Sequence, residues 1–327
     1  MNKFVKIAAS ASYLPPKVVT NDDLSRIMDT SDKWIQSHTG IKTRHFALGE
    51  NTSDMGTKVA KKLLDEAQAA PEEIDLIIVS TISPDAITPS TASIIQKAVG
   101  AENAFAYDIS SACSGFIFAL STADKFLRAG NYNKALVISA ENSSKMMDFK
   151  DRTSAVFFGD GAAGVLLEGT DDPELDMVKA ESLHADGNKE VIHSGRVEPI
   201  EGISSDNYPH MDAFFQDGRA VYNFVTQNIP GHIKEFLTSC SLQPADLDML
   251  ITHQANLRLI EIIAKDLGLP LDKVPVNVQT VGNTSSAGIP LVLDEQLKAG
   301  KRPAKLVLTG FGAGLAYGSM LLDLSRF

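Results

Sequence analysis

Pro71-Glu-Glu-Ile-Asp-Leu-Ile-Ile-Val-Ser80 runs parallel to Pro244-Ala-Asp-Leu-Asp-Met-Leu-Ile-Thr-His253, 173 residues downstream. Each stretch ends in a short apolar run that reads as a buried strand. The segment from Cys113 through Asp124-Lys-Phe-Leu-Arg-Ala-Gly130 then matches the one from Asn283 through Asp294-Glu-Gln-Leu-Lys-Ala-Gly300, at an offset of 170. Lys134-Ala-Leu-Val-Ile-Ser139 pairs in turn with Lys305-Leu-Val-Leu-Thr309. Three matched blocks in one order mark an internal duplication. The chain is therefore expected to form two similar α/β units, residues 1–173 and 174–327, packed together with a site between them.

Outward from these blocks, β-rich runs alternate with helical patterns over nearly the whole length, the signature of α/β layering. Strands are predicted over 76–80, 104–108, 135–139, 164–167, 248–252, 306–309 and 319–324. Helices are predicted over 54–69, 89–99, 114–129, 220–236, 256–267 and 284–299. Asp171-Asp-Pro-Glu174 reads as the linker, and Gly187 to Asn207 as an irregular surface excursion.

Composition narrows the classes. With 44% hydrophobic and 22% charged residues, 327 residues can bury a large core. A net charge of −11 opposes a nucleic-acid surface. No apolar run approaches the roughly 20 residues of a membrane helix. Met1-Asn2-Lys3-Phe4-Val5-Lys6 leads into a strand-like segment without a signal-peptide pattern, so a cytoplasmic location is expected. Two cysteines make no disulfide framework.

Cys113 sits among small residues, Ser110-Ser-Ala-Cys-Ser-Gly115, ahead of an apolar helical run. Small neighbours admit a substrate, and the helix start is expected to favour thiolate; taken alone, such a cysteine more often reads as buried and inert. Cys240 has no such setting and reads as structural. His253 follows a strand end and Asn283 opens a helical segment, where plain structural and capping roles are the alternatives. The repeat sets Cys113 opposite Asn283 and brings all three to strand or helix termini, where open α/β sheets bind ligands. Gly310-Phe-Gly-Ala-Gly314 lacks the Lys-Ser/Thr of a phosphate loop and reads instead as a turn presenting N–H groups to a reacting oxygen.

Taken together, Ala112-Cys-Ser-Gly115, His253-Gln-Ala-Asn-Leu-Arg258, Gly282-Asn-Thr-Ser285 and Gly310-Phe-Gly-Ala-Gly314 resemble bacterial β-ketoacyl-ACP synthase III. Thr30-Ser-Asp-Lys-Trp-Ile35, with Thr39-Gly-Ile41 and Arg44-His45, resembles that family's N-terminal signature. The resemblance spans almost the whole chain. It implies a thiolase-like five-layered α-β-α-β-α fold from two pseudo-repeated halves, acting as a homodimer. It also implies a reaction of a short acyl-CoA with malonyl-ACP that gives 3-oxoacyl-ACP, CoA and carbon dioxide. Acyl-CoA is then a substrate, and no metal or other cofactor is expected.

By the same resemblance Cys113 is the nucleophile, and His253 and Asn283 stabilise the malonyl enolate. The backbone N–H groups of Cys113 and Ala313 hold the oxyanion. Trp34, Arg152, Gly218 and Asn256 contact CoA. Gln254, Ala255, Asn256, Leu257 and Arg258 face the acyl carrier protein, and Thr88 reaches across the dimer to wall the acyl pocket. Two positions depart from the family pattern: His38 stands where Arg is frequent, and Ala313 stands for Gly, which would strain the backbone if φ there were positive. A starter enzyme of a specialised polyketide or quinolone pathway stays open as an alternative. So does a Cys-His-Asn thioester hydrolase, which uses the same residue types.

Overall fold

The computed structural model describes residues 4–200, 202–206 and 208–327. Met1, Asn2 and Lys3 of the N-terminal stretch, and Glu201 and Asn207 of the Gly187–Asn207 excursion, lie outside the described residues. One sheet runs in the order Phe4–Tyr13, Gly161–Thr170, Lys134–Glu141, Leu76–Ser80, Phe105–Ile109. A second runs Met249–Thr252, Leu306–Gly312, Ala316–Leu322, Val178–Ala185. Leu76–Ser80 is parallel to both neighbours, as Met249–Thr252 is to Leu306–Gly312. Parallel pairs need crossover helices, which supply the helical layers.

Alternation along the strands assigns those layers. Leu76 and Ile78 face one core, shared with Phe116, Ile117 and Leu120 of the helix Gly115–Arg128, Ile289 and Val292 of the helix Gly288–Lys298, and Ile251 and Leu308 of the second sheet. Ile77 and Val79 point the other way, onto Met55, Val59 and Leu63 of the helix Thr52–Ala67 and Ile95 of Thr91–Val99. Leu250 and Val307 of the second sheet meet Val225, Ile229 and Ile233 of Gly218–Ser239 and Ile260 and Ile263 of Leu257–Leu267. Two helices between two sheets, with a helical layer outside each, make five layers. The middle pair is buried nearly all round, which explains why Gly115–Arg128 is so apolar.

The duplication extends to single hydrogen bonds. Asp75 accepts from the N–H groups of Asn133 and Lys134, and Asp248 accepts likewise from Ala304 and Lys305. Buried Asp124 pairs with Arg128 at 2.9 Å, and buried Asp294 with Lys298 at 3.0 Å. Pro71–Glu73 and Pro244–Asp246 form matching 3-10 turns ahead of their strands.

Two expectations shift. The helix Gly115–Arg128 starts within one residue of its predicted position, but Gly288–Lys298 starts four residues late; a 3-10 turn, Ala112–Ser114 or Ser285–Ala287, precedes each. Ala112 (φ 45°) and Ser285 (φ 50°) open these turns in the same left-handed conformation. The structural partner of Cys113 is therefore Ser286, and Asn283 lies three residues ahead of it. The strand Val178–Ala185 was not predicted, because this edge carries Lys179, Glu181, Ser182 and His184 and is half-buried or exposed along its length.

Candidate active site

Cys113 stands in the turn that ends the strand-to-helix passage from Phe105–Ile109. The strand Leu306–Gly312 crosses directly over it. A Cβ on Gly312 would lie 2.9 Å from both Cβ and N of Cys113, and one on Gly310 would lie 2.8 Å from Cα of Ser114. These glycines serve close backbone approach rather than phosphate binding, and Gly310-Phe-Gly312 ends the strand instead of forming the turn. The turn itself is Ala313–Leu315, where the positive φ falls on Gly314 at 138°. Ala313 has no positive φ, so the strain feared from its methyl group does not arise.

One pocket is lined by Cys113, His253, Asn283 and Ala313. Its walls are apolar, from Phe158, Phe214, Phe224, Val225 and Phe311 among others. Phe214, with Ile192 and Gln216, comes from the region of the small hairpin Ile192–His193/Phe215–Gln216. The apparent surface excursion thus begins at the pocket wall, a role its irregular sequence did not signal.

His253 directly follows the strand Met249–Thr252, its N–H donating to the Thr309 carbonyl at 2.8 Å and its ring meeting the Phe311 ring edge to face at 5.2 Å. Burial pushes its imidazole down to about 3, so the ring is neutral and presents one N–H. Asn283 is locked on both sides by its main chain, which donates to the Phe157 carbonyl at 2.8 Å and accepts from the Gly159 N–H at 3.0 Å. Its Oδ1 accepts the Ser285 N–H at 2.8 Å. With the oxygen engaged, the amide is oriented and its NH2 remains as a donor.

The thiol departs from expectation. Cys113 is half-buried, and the space it faces is the apolar pocket rather than bulk water. Burial pushes the thiol up to about 12; a hydrogen bond with Ser285, Sγ to Oγ 3.6 Å, acts against this, and the Glu141 charge adds to it. The resting group is a thiol rather than the thiolate anticipated from the helix start, because desolvation outweighs the charge-stabilising contacts.

Trp34 and Arg152 come together, with the guanidinium 5.3 Å from the ring centre. His38 stacks on the same indole at 4.4 Å, and Arg152 is held by the Asp29 carbonyl at 2.6 Å. Gly218 begins the helix Gly218–Ser239 on the exposed surface, with open space where a Cβ would stand. Asn256 caps the helix Leu257–Leu267, accepting the Leu259 N–H at 3.0 Å.

The proposed carrier-facing run divides by exposure. Arg258 is exposed and donates to the Ser37 carbonyl at 3.1 Å, Leu257 packs over Gly40, and Ala255 lines the pocket. Gln254 is fully buried, donating to the Thr252 carbonyl at 2.9 Å and accepting from the Asn277 N–H at 3.1 Å. A side chain so occupied cannot meet a carrier protein, and that expectation is withdrawn. Thr88 is exposed and takes no part in its own chain's pocket.

The family model for 3-oxoacyl-[acyl-carrier-protein (ACP)] synthase III matches residues 107–187, and the model for the C terminal of the same synthase matches residues 237–324. The Lactiplantibacillus plantarum protein named beta-ketoacyl-[acyl-carrier-protein] synthase III 1 is 54% identical over 98% of this chain and 99% of its own. This chain belongs to the β-ketoacyl-ACP synthase III family. The crystal structure of 3-oxoacyl-[acyl-carrier-protein] synthase III from Aquifex aeolicus superposes with a TM-score of 0.89 at 39% identity, covering 98% of this chain and 99% of that one. The five layers are thus the family's thiolase fold. A priming β-ketosynthase from the R1128 polyketide pathway is also similar, with a TM-score of 0.88 at 31% identity, covering 99% of this chain and 98% of that one.

Proposed function

We propose that the chain primes type II fatty acid synthesis by condensing a short acyl-CoA with malonyl-ACP. The products are 3-oxoacyl-ACP, CoA and carbon dioxide. One observation carries this reading: Cys113, His253 and Asn283 open onto a single apolar pocket. The Cys113 sulfur attacks the acyl-CoA thioester and retains the acyl group. Malonyl-ACP then enters. His253 and the Asn283 amide donate to its thioester oxygen and stabilise the enolate formed as carbon dioxide leaves. That carbanion attacks the acyl-cysteine, and the Cys113 and Ala313 N–H groups hold the tetrahedral oxyanion.

Two neutral donors suit this chemistry. A histidine kept neutral by burial donates without offering a competing positive charge to the malonyl carboxylate, which must depart as carbon dioxide. Each donor contributes roughly 3–4 kcal/mol to the transition state, by analogy with other oxyanion sites. The reading requires acyl-CoA as substrate and no metal or other cofactor.

Trp34 and Arg152 would grip the adenine of CoA, an assignment supported by their stacking distance. Gly218 and Asn256 would complete the CoA contacts, and Ala255, Asn256, Leu257 and Arg258 would meet the carrier protein in the cytoplasm. A homodimer would join the edge strand Phe105–Ile109, which is half-buried along its length, to a second copy. Exposed Thr88 would then reach the partner's acyl pocket.

The similarity to a polyketide priming enzyme favours one second reading, a starter role in a specialised pathway with the same half-reactions. The test is product analysis with acetyl-CoA and malonyl-ACP. The wild-type protein should release carbon dioxide and yield 3-oxoacyl-ACP, and Cys113→Ala should yield none. Hydrolysis of acyl-CoA without a new carbon–carbon bond would move the assignment to a thioester hydrolase.

A further inference from the structure

Among the described residues that line the pocket, none is a ready acceptor for the Cys113 proton. His253 resists protonation and an amide has no basicity. Behind the sulfur, however, lies Glu141, fully buried at the end of the strand Lys134–Glu141. Its Oε2 accepts from Ser83 Oγ at 2.7 Å, the Ile82 N–H at 3.1 Å and Thr81 Oγ1 at 3.2 Å. Its Oε1 accepts from Ser286 Oγ at 2.8 Å; burial pushes this carboxyl up, and contacts with Ser83, Ser286, the Ile82 N–H and the Ser285 hydroxyl draw it back. Ser285 in turn is the hydroxyl beside the Cys113 sulfur, at 3.6 Å. Cys113 and Lys145 both feel the Glu141 charge.

We infer that Cys113 passes its proton through the Ser285 hydroxyl to Glu141, which stores it between the two half-reactions and returns it at the end. This rests on the condensing function proposed above. In the first half-reaction the S–H bond breaks, Ser285 takes that proton while giving its own to Glu141, and the sulfur bonds the acyl carbon. CoA leaves as a thiolate and takes one proton from solvent. In the second half-reaction the enolate carbon bonds the acyl carbon, the C–S bond to Cys113 breaks, and the sulfur leaves as thiolate. It recovers the stored proton from Glu141 by the same route. One turnover therefore consumes a single solvent proton, the one carried away on CoA.

Burial acts on both ends of this route. It pushes the Cys113 thiol and the Glu141 carboxyl upward together, so the carboxylate is a stronger acceptor than one in water. The left-handed backbone at Ser285 turns its hydroxyl toward the sulfur while its N–H holds Asn283, so one residue serves both chemical steps.

The relay and plain electrostatics predict opposite signs for Glu141→Gln. Removing a negative charge beside a thiol should by itself favour thiolate and speed its alkylation. Removing the proton acceptor should slow alkylation by iodoacetamide at least tenfold, with Glu141→Asp, which keeps an acid, faster than Glu141→Gln. Alkylation of Glu141→Gln at or above the wild-type rate overturns the relay. Where Glu141→Gln does not fold, the wild-type acylation rate in H2O/D2O mixtures decides: two protons in flight give a curved dependence that becomes linear in Ser285→Ala, and a linear wild-type dependence overturns the relay. Alkylation requires no CoA, so a wild type that alkylates normally but is never acylated contradicts the proposed function and not this inference.

Discussion

The Ser285 N–H donates to Oδ1 of Asn283 at 2.8 Å, and this single bond decides what Asn283 does. With its oxygen taken, the side chain meets the pocket as a donor. Asn283→Ala should therefore slow decarboxylative condensation by about 10²–10³ while leaving acylation of Cys113 intact. Asn283→Asp, which offers no N–H, should behave alike. Single-turnover measurement of the two half-reactions separates them, and an Asn283→Ala protein that also fails to acylate contradicts this division of labour.

The neutral state of His253 carries a pH signature. Its folded value is depressed from 6.5 to about 3, so the imidazole stays neutral across the range where a free histidine would charge, and gains its proton only on acidification past that lower value. The rate of condensation on pre-acylated enzyme should show no His253 titration near pH 6.5. An acid limb centred there that disappears in His253→Asn would place a charged imidazole in the mechanism.

Carrier docking separates Arg258 from its neighbour in sequence. Arg258→Glu reverses an exposed charge and should raise KM for malonyl-ACP selectively, leaving KM for acyl-CoA unchanged. Gln254→Ala removes two buried hydrogen bonds, so its cost should appear in unfolding, about 1–3 kcal/mol, with little change in either KM. Steady-state kinetics and denaturant unfolding of the two variants distinguish a surface contact from an internal one.

Gly312 tests the packing over the nucleophile. In Gly312→Ala the new methyl would meet main-chain and Cβ atoms of Cys113 at 2.9 Å, and a backbone neighbour yields poorly. A loss of about 1–3 kcal/mol in stability is expected, together with slowed acylation. Unimpaired acylation by acetyl-CoA would mean that the strand does not fix the sulfur.

Much of this was legible in the repeated motifs. The Asp75 and Asp248 blocks repeat because each aspartate makes the same two bonds to the start of a neighbouring strand, and the short motif that carries it is visible in each half. The register around Cys113 was not legible. The first middle-layer helix has 14 residues and the second 11, so matching Gly130 with Gly300 slides their starts by three and sets Cys113 against the wrong partner. Gln254 was misjudged because a motif read as one exposed strip alternates between core and surface. Glu141 gave no signal, since an acid that ends a strand acquires its meaning only when Ser83 and Ser286 fold onto it.

Intact-protein mass after incubation with a panel of acyl-CoAs, and again after addition of malonyl-ACP, follows both half-reactions at Cys113. A single acyl adduct, on Cys113, is expected, and it should disappear as 3-oxoacyl-ACP forms. Adducts lost to water with no new carbon–carbon bond, or none on Cys113, would contradict the proposed function.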